Sequence, residues 1–202
     1  MPLNYSKQTR DFSLYLWKIE ENSDELLALN NGVFPDECKK YKRPLHQKQC
    51  LAKHLMFKHL NIENQIYKDS NGKPLLKNGQ FISVSHAGNL VGIVISKEAC
   101  GLDIEKNRSK ILRVKEKFVS IDDFVPNDEY LHWIWTAKES IYKLHGKKAL
   151  PLKAINIVAI NFDKQSGWAI LNRRDIELFF IKAPENFIIC IAKYTDEKFN
   201  IF

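Results

Sequence analysis

Between residues 100 and 105 the chain reads Cys-Gly-Leu-Asp-Ile-Glu, and this alternation of apolar and acidic side chains has the period of a β-strand. Strand geometry sends Leu102 and Ile104 to one face and Asp103 and Glu105 to the other. A fold that holds this strand must cover the apolar face with a core. It must also give the paired carboxylates water or a cation, because like charges this close raise each other's pKa. Two hard oxygen donors suit Mg²⁺, which takes one or two carboxylates and completes its octahedron with water and substrate phosphate. Taken alone, a D-x-E pair is equally an ordinary solvated strand edge.

The neighbouring segments supply the elements that could pack on such a strand. Residues 12–17 read as a first strand, residues 45–60 as a long helix, and residues 81–84 and 90–95 as a hairpin around Gly88-Asn89. After the acidic strand, residues 111–118 and 128–144 read as helices, and strand-like segments recur near 155–160, 168–171, 177–181 and 187–192. The order of strand, helix and strands thus occurs once before about residue 100 and again after it, with no Pro/Gly/Ser-rich linker between. The expected class is α+β, built as two similar halves, residues 1–100 and 101–202, the second carrying the metal-binding motifs.

Three further constellations could carry chemistry. In Trp135-Thr-Ala-Lys-Glu-Ser-Ile-Tyr-Lys143 the apolar stripe falls at Ile134, Ala137, Ile141 and Leu144, which leaves Glu139 and Lys143 four apart on the opposite face. An ordinary exposed ion pair has the same spacing. Gly72-Lys73-Pro74 and the strand end Ser85-His86 offer ammonium, hydroxyl and imidazolium donors for phosphate. No G-x-S-x-G elbow surrounds Ser85, which argues against a Ser–His dyad. Finally Lys39, Lys40, Lys42, Arg43 and Lys48 form a basic cluster leading into the first long helix, which is equally a solvated helix entry.

Of the 202 residues, 45% are hydrophobic, enough for a sizeable core, and 31 Lys and Arg against 24 Asp and Glu give a charge of +7, so the expected partners are anionic. The cysteines at 38, 50, 100 and 190 form no CxxC pair, which argues against a zinc site and a disulfide framework; all four are expected as reduced thiols in a cytoplasmic protein. Arg10-Asp11 interrupts any secretory leader, and apolar runs such as 188–192 are far short of the roughly 20 residues of a membrane helix. A soluble chain with no membrane partner is expected.

The order of these features, GKP, then a strand ending in Ser-His, then G-L-D-I-E, then about thirty residues on W-T-x-K-E-S-x-x-K, resembles the 4'-phosphopantetheinyl transferase superfamily in its long, surfactin-synthetase-activating type. The resemblance runs from about Lys40 to Leu152. It implies a monomer whose two α+β halves are related by pseudo-twofold symmetry, as if two copies of the short type were joined in one chain. It implies transfer of phosphopantetheine from coenzyme A to a serine hydroxyl of an apo acyl or peptidyl carrier protein, with release of 3',5'-ADP. Asp103, Glu105 and Glu139 match the Mg²⁺ ligands, Lys143 the phosphate-neutralising lysine, and Lys73, Ser85 and His86 positions lining the coenzyme A phosphates. Glu139 is the first choice of general base and Glu105 the second. Where relatives carry basic residues before the aromatic matching Tyr41, this chain has Phe34 and Glu37, and Cys50 replaces a hydroxyl; Lys40, Arg43 and Lys48 are the substitute contacts for the nucleotide end. Val114, Lys117 and Phe118 are candidates for carrier docking by position. The alternatives are a non-catalytic basic module binding nucleotide or nucleic acid, for which no nucleic-acid motif is present, and a catalytically silent regulator of the same fold.

Overall fold

The computed structural model describes residues 5–147 and 149–197. Two antiparallel sheets carry the architecture, with helices packed against each, an α+β fold of two such halves. The first sheet has strands β1 (Tyr5–Gln8), β2 (Phe12–Lys18), β3 (Ile66–Lys68), β4 (Pro74–Leu76), β5 (Phe81–Ala87) and β6 (Leu90–Ser96), in the order β1-β2-β6-β5-β4-β3. The second has β7 (Cys100–Lys106), β8 (Asn156–Asn161), β9 (Ser166–Leu171), β10 (Arg174–Ala183) and β11 (Phe187–Tyr194), in the order β7-β11-β10-β9-β8. The helices are α1 (Ser23–Leu29), α2 (Asp36–Lys39), α3 (Pro44–His59), α4 (Lys115–Phe118) and α5 (Leu131–His145). No described helix is long and apolar enough to cross a membrane.

Three apolar clusters follow from the alternation along the strands. Trp17, Ile82, Val91 and Ile93 meet Leu51, Leu55 and Met56 of α3 on one face of the first sheet. Leu14, Leu16 and Val94 on its other face pack against Leu102, Ile104, Ile189 and Ile191 of the second sheet. On the far face of that second sheet, Ile188, Cys190 and Ala192 pack under Ile134, Ala137, Ile141 and Leu144, the stripe expected for α5. The expected strand over 100–105 is therefore present, with Leu102 and Ile104 in the core between the sheets and Asp103 turned toward α5.

Three expectations change. The helix expected over 111–118 is a 3₁₀ stretch, Ser109–Val114, followed by the single turn of α4. Phe118, offered for docking, is fully buried and meets Trp135 edge to face at 5.0 Å, because α4 turns it under α5; only Lys117 of the three docking candidates is exposed, Val114 packing partly on the same core. The cysteines are not all free: α2 folds back on α3, bringing the Cα atoms of Cys38 and Cys50 to 5.5 Å, and the two are joined as a disulfide, while Cys100 and Cys190 are free and buried.

Candidate active site

The strand β7 and the helix α5 come into direct contact because Gly101 has no side chain. A Cβ there would lie 1.9 Å from the carbonyl oxygen of Ser140 and 2.5 Å from the amide nitrogen of Leu144. Two residues further along β7, and so on the same face, Asp103 sits beneath the second half of α5. Lys143 Nζ reaches Asp103 Oδ1 at 2.7 Å and Ser85 Oγ at 2.9 Å. Ser85 Oγ in turn donates to Asp103 Oδ1 at 3.0 Å and accepts the Ile104 amide at 3.1 Å, so a β5 hydroxyl, a β7 carboxylate and an α5 ammonium form one network.

The other two acids surround it. Glu105 Oε1 accepts the indole N–H of Trp135 at 2.8 Å, which fixes its carboxylate under α5. Glu139 has no hydrogen bond or ion-pair partner among the described residues, and Lys143, four residues on, pairs with Asp103 instead. Burial, then the charges of Asp103 and Glu105, push Glu139 up to about 7, with Lys143 opposing. Burial and the charge of Asp103 raise Glu105, and burial raises Asp103 against the pull of Lys143. The three carboxylates thus share one poorly solvated region, with Lys143 acting on all three and Arg108 on Glu105.

Asp103 Oδ2 is buried without any hydrogen-bond partner. An orphaned carboxylate oxygen beside two further acids is a donor awaiting a cation, and hard oxygen ligands fit Mg²⁺. The donor atoms of the three acids are more widely spread than a closed coordination sphere. Among the described residues, the side-chain group whose ligand atoms all lie within 4.8 Å of one another is Cys38, Cys50 and His54.

The remaining predicted residues divide. His86 follows Ser85 on β5 with its ring on the exposed face; crowding by the protein and then the charges of Lys143, His46 and Lys53 lower its pKa. Lys73 Nζ donates to the carbonyl of Leu144 at 2.8 Å, capping the end of α5 where Gly146 turns out of the helix at φ +71°. Lys73, Tyr142, Lys143, Gly146 and Lys147 line a cleft of about 260 Å³ beside this helix end, and the three carboxylates are not among its walls. Lys40, Arg43 and Lys48 stay on the α2–α3 segment, and none of them makes a hydrogen bond or ion pair with the carboxylates or Lys143.

Three residues that shape the site carried signals that sequence reasoning passed over. Trp135, which holds Glu105, stands one turn before Glu139 on the same helix face. Lys138 falls in register with Ile134 and Ile141 and is fully buried, its Nζ 2.5 Å from Asp123 Oδ2 and 2.7 Å from the Phe118 carbonyl. Ser83 Oγ accepts the Leu102 amide at 2.9 Å, repeating two residues earlier what Ser85 does for Ile104.

Three known proteins similar to this chain are all named 4'-phosphopantetheinyl transferases. The chain is 25% identical over 159 residues to the 4'-phosphopantetheinyl transferase ffp of Bacillus subtilis, covering 68% of this chain and 70% of that protein. It is 28% identical over 99 residues to the 4'-phosphopantetheinyl transferase psf-1 of Bacillus pumilus, covering 44% of this chain and 42% of the relative. With the 4'-phosphopantetheinyl transferase Sfp of Bacillus subtilis strain 168 the identity is 29% over 97 residues, 43% of each chain. No family model matches. The chain is thus similar, at 25–29% identity, to proteins named 4'-phosphopantetheinyl transferases.

Proposed function

We propose that the chain transfers the 4'-phosphopantetheine group of coenzyme A to a serine hydroxyl of an apo carrier protein, dividing near residue 100 into an N-terminal half and a C-terminal half that bears the metal-binding strand and helix. The observation that carries this reading is the meeting of Asp103, Glu105, Glu139 and Lys143 in one region, with Asp103 Oδ2 left without a partner. A binding module for a polyanion has no use for three acids at that place, since they repel phosphate in the absence of a cation.

Asp103, Glu105 and Glu139 would hold Mg²⁺, which supplies charge stabilisation for the pyrophosphate oxygens when bound. Lys143 offers its ammonium to a phosphate at the same place, and its exchange of Asp103 for phosphate keeps the cation's charge compensated. Lys73, Ser85, His86 and the more distant Lys40, Arg43 and Lys48 are assigned to the phosphates and nucleotide end of coenzyme A. In the reaction the serine Oγ forms a bond to the phosphorus that carries pantetheine, the bond from that phosphorus to the bridging oxygen breaks, and 3',5'-ADP leaves. The serine proton passes to a carboxylate. Glu139 is the better placed base, because Trp135 already engages Glu105 whereas Glu139 has no partner. A net charge of +7 attracts both an acidic carrier and polyanionic coenzyme A.

The experiment is mass spectrometry of a panel of apo carrier proteins from fatty-acid, polyketide and peptide pathways after incubation with the chain, coenzyme A and Mg²⁺. One or more carriers gain a single phosphopantetheine mass, EDTA prevents it, and Glu139→Gln lowers the rate by about 100-fold or more. Unchanged masses across the whole panel refute the reading.

A further inference from the structure

The second group of ligand-type side chains lies away from the carboxylates, where α2 folds back on α3. Cys50 and His54 are one turn apart on α3, Cys38 comes from α2, and the donor atoms of all three lie within 4.8 Å of one another. Both sulfurs are buried. Glu37 Oε1 contacts His54 Nε2 at 2.6 Å and also pairs with Lys53. The same Glu37 oxygen lies 3.8 Å from Cys50 Sγ, so one carboxylate orients the imidazole beside the sulfurs.

Two thiolates and an imidazole are the donor set of an open tetrahedral zinc site, with water in the fourth position. The disulfide occupies the same two sulfurs, so the two states exclude each other. We propose that Cys38, Cys50 and His54 form a redox-gated Zn²⁺ site, held by Glu37 as the positioning residue and available only when the Cys38–Cys50 bond is reduced. A dithiol supplies the two electrons and two protons that open the bond and becomes a disulfide itself. Binding Zn²⁺ then releases both thiol protons to solvent. Either state ties residue 38 to residue 50, and between them run Lys39, Lys40, Lys42, Arg43 and Lys48. The site therefore governs how firmly this basic segment is held.

The full chain, reduced with a phosphine and freed of reductant under argon, is titrated with Co²⁺ and then Zn²⁺, without coenzyme A, Mg²⁺ or carrier. One Co²⁺ per chain with a thiolate-to-cobalt charge-transfer band and strong tetrahedral visible bands is expected, bleached by one equivalent of Zn²⁺. The untreated disulfide form should give neither. Cys50→Ser should abolish the charge-transfer spectrum. His54→Ala, which keeps both thiols and removes a partly exposed side chain, should weaken Zn²⁺ binding at least roughly 10-fold, and Glu37→Gln by about 10-fold. Cys100 and Cys190 are deeply buried and do not compete as ligands. Absence of the charge-transfer band in the reduced chain overturns the proposal, as does weak octahedral absorption alone, or a spectrum indifferent to Cys50→Ser and His54→Ala. Because the titration contains no substrate of the transfer reaction, its failure leaves the transferase reading untouched, and an inactive transferase leaves this site untouched.

Discussion

Glu139 shows how one residue's protonation reports on the whole site. Its pKa is raised from 4.5 to about 7, first by burial and then by Asp103 and Glu105. A carboxyl whose folded pKa exceeds the unfolded one stabilises the fold fully below the unfolded value, and that stability is lost as pH rises through the folded value. In EDTA, Glu139→Gln should therefore match the wild-type stability near pH 4.5 and exceed it at pH 8 by about 1–2 kcal/mol, once solvent screening is allowed for. Urea denaturation across that range measures it. Adding Mg²⁺ at pH 8 should raise the wild-type midpoint and leave Glu139→Gln nearly unmoved, since ligand binding to the folded state alone stabilises it. A wild-type midpoint indifferent to Mg²⁺ would count against a cation among these acids. At this scale the residue types of the site were readable from Asp103 and Glu105 alternating with core residues, and from Glu139 and Lys143 opposite an apolar stripe. Their partners were not: helical spacing pairs Lys143 with Glu139, whereas the fold pairs it with Asp103, forty residues away in sequence.

At the scale of elements, the site depends on how closely α5 approaches β7. Gly101→Ala would drive a methyl group into the Ser140 carbonyl, which is backbone and has no rotamer to yield. The expected destabilisation is about 3 kcal/mol, the upper part of the range for overpacking, and the same displacement should reduce Mg²⁺ binding. Thermal melts with and without Mg²⁺ separate the two effects. The other side of α5 is anchored by Lys138 and Asp123, both without exposure, with Asp123 also accepting the amides of Ser120 and Ile157. Burial lowers the Lys138 pKa while Asp123 opposes the shift. Lys138→Met leaves Asp123 buried with no cation and should cost about 3–5 kcal/mol, read from the denaturation midpoint. Most elements with strong periodicity were legible, including α3, α5, the β5–β6 hairpin and β7. The short ones were not: β1 is exposed at all four positions and has no alternation to read, and α1 is set by a capping box of Asn22 and Glu25 rather than by a long apolar stripe.

For the whole molecule, the decisive junction is where the two sheets meet. β7 is an edge strand of the second sheet, and its Leu102 and Ile104 amides are satisfied by Ser83 and Ser85 of β5 rather than by another strand. Serine side chains thus close an edge that would otherwise leave buried donors unpaired. Ser83→Ala should cost about 1–3 kcal/mol and speed hydrogen exchange at the Leu102 amide, measurable by NMR. Exchange unchanged at Leu102 would show that water takes over the role. The sequence by itself determined which side of each long element is apolar, that acids and a lysine stand on the opposite sides, and that the order of elements repeats, because these depend on periods of two and 3.6 residues along the chain. Only the tertiary structure decided that Asp103 Oδ2 is left without a partner, that Trp135 holds Glu105, that Phe118 is interior and that Cys38 meets Cys50 beside His54. Each of those depends on which faces are pressed together across long sequence separations, and local periodicity carries no information about the distance between two faces.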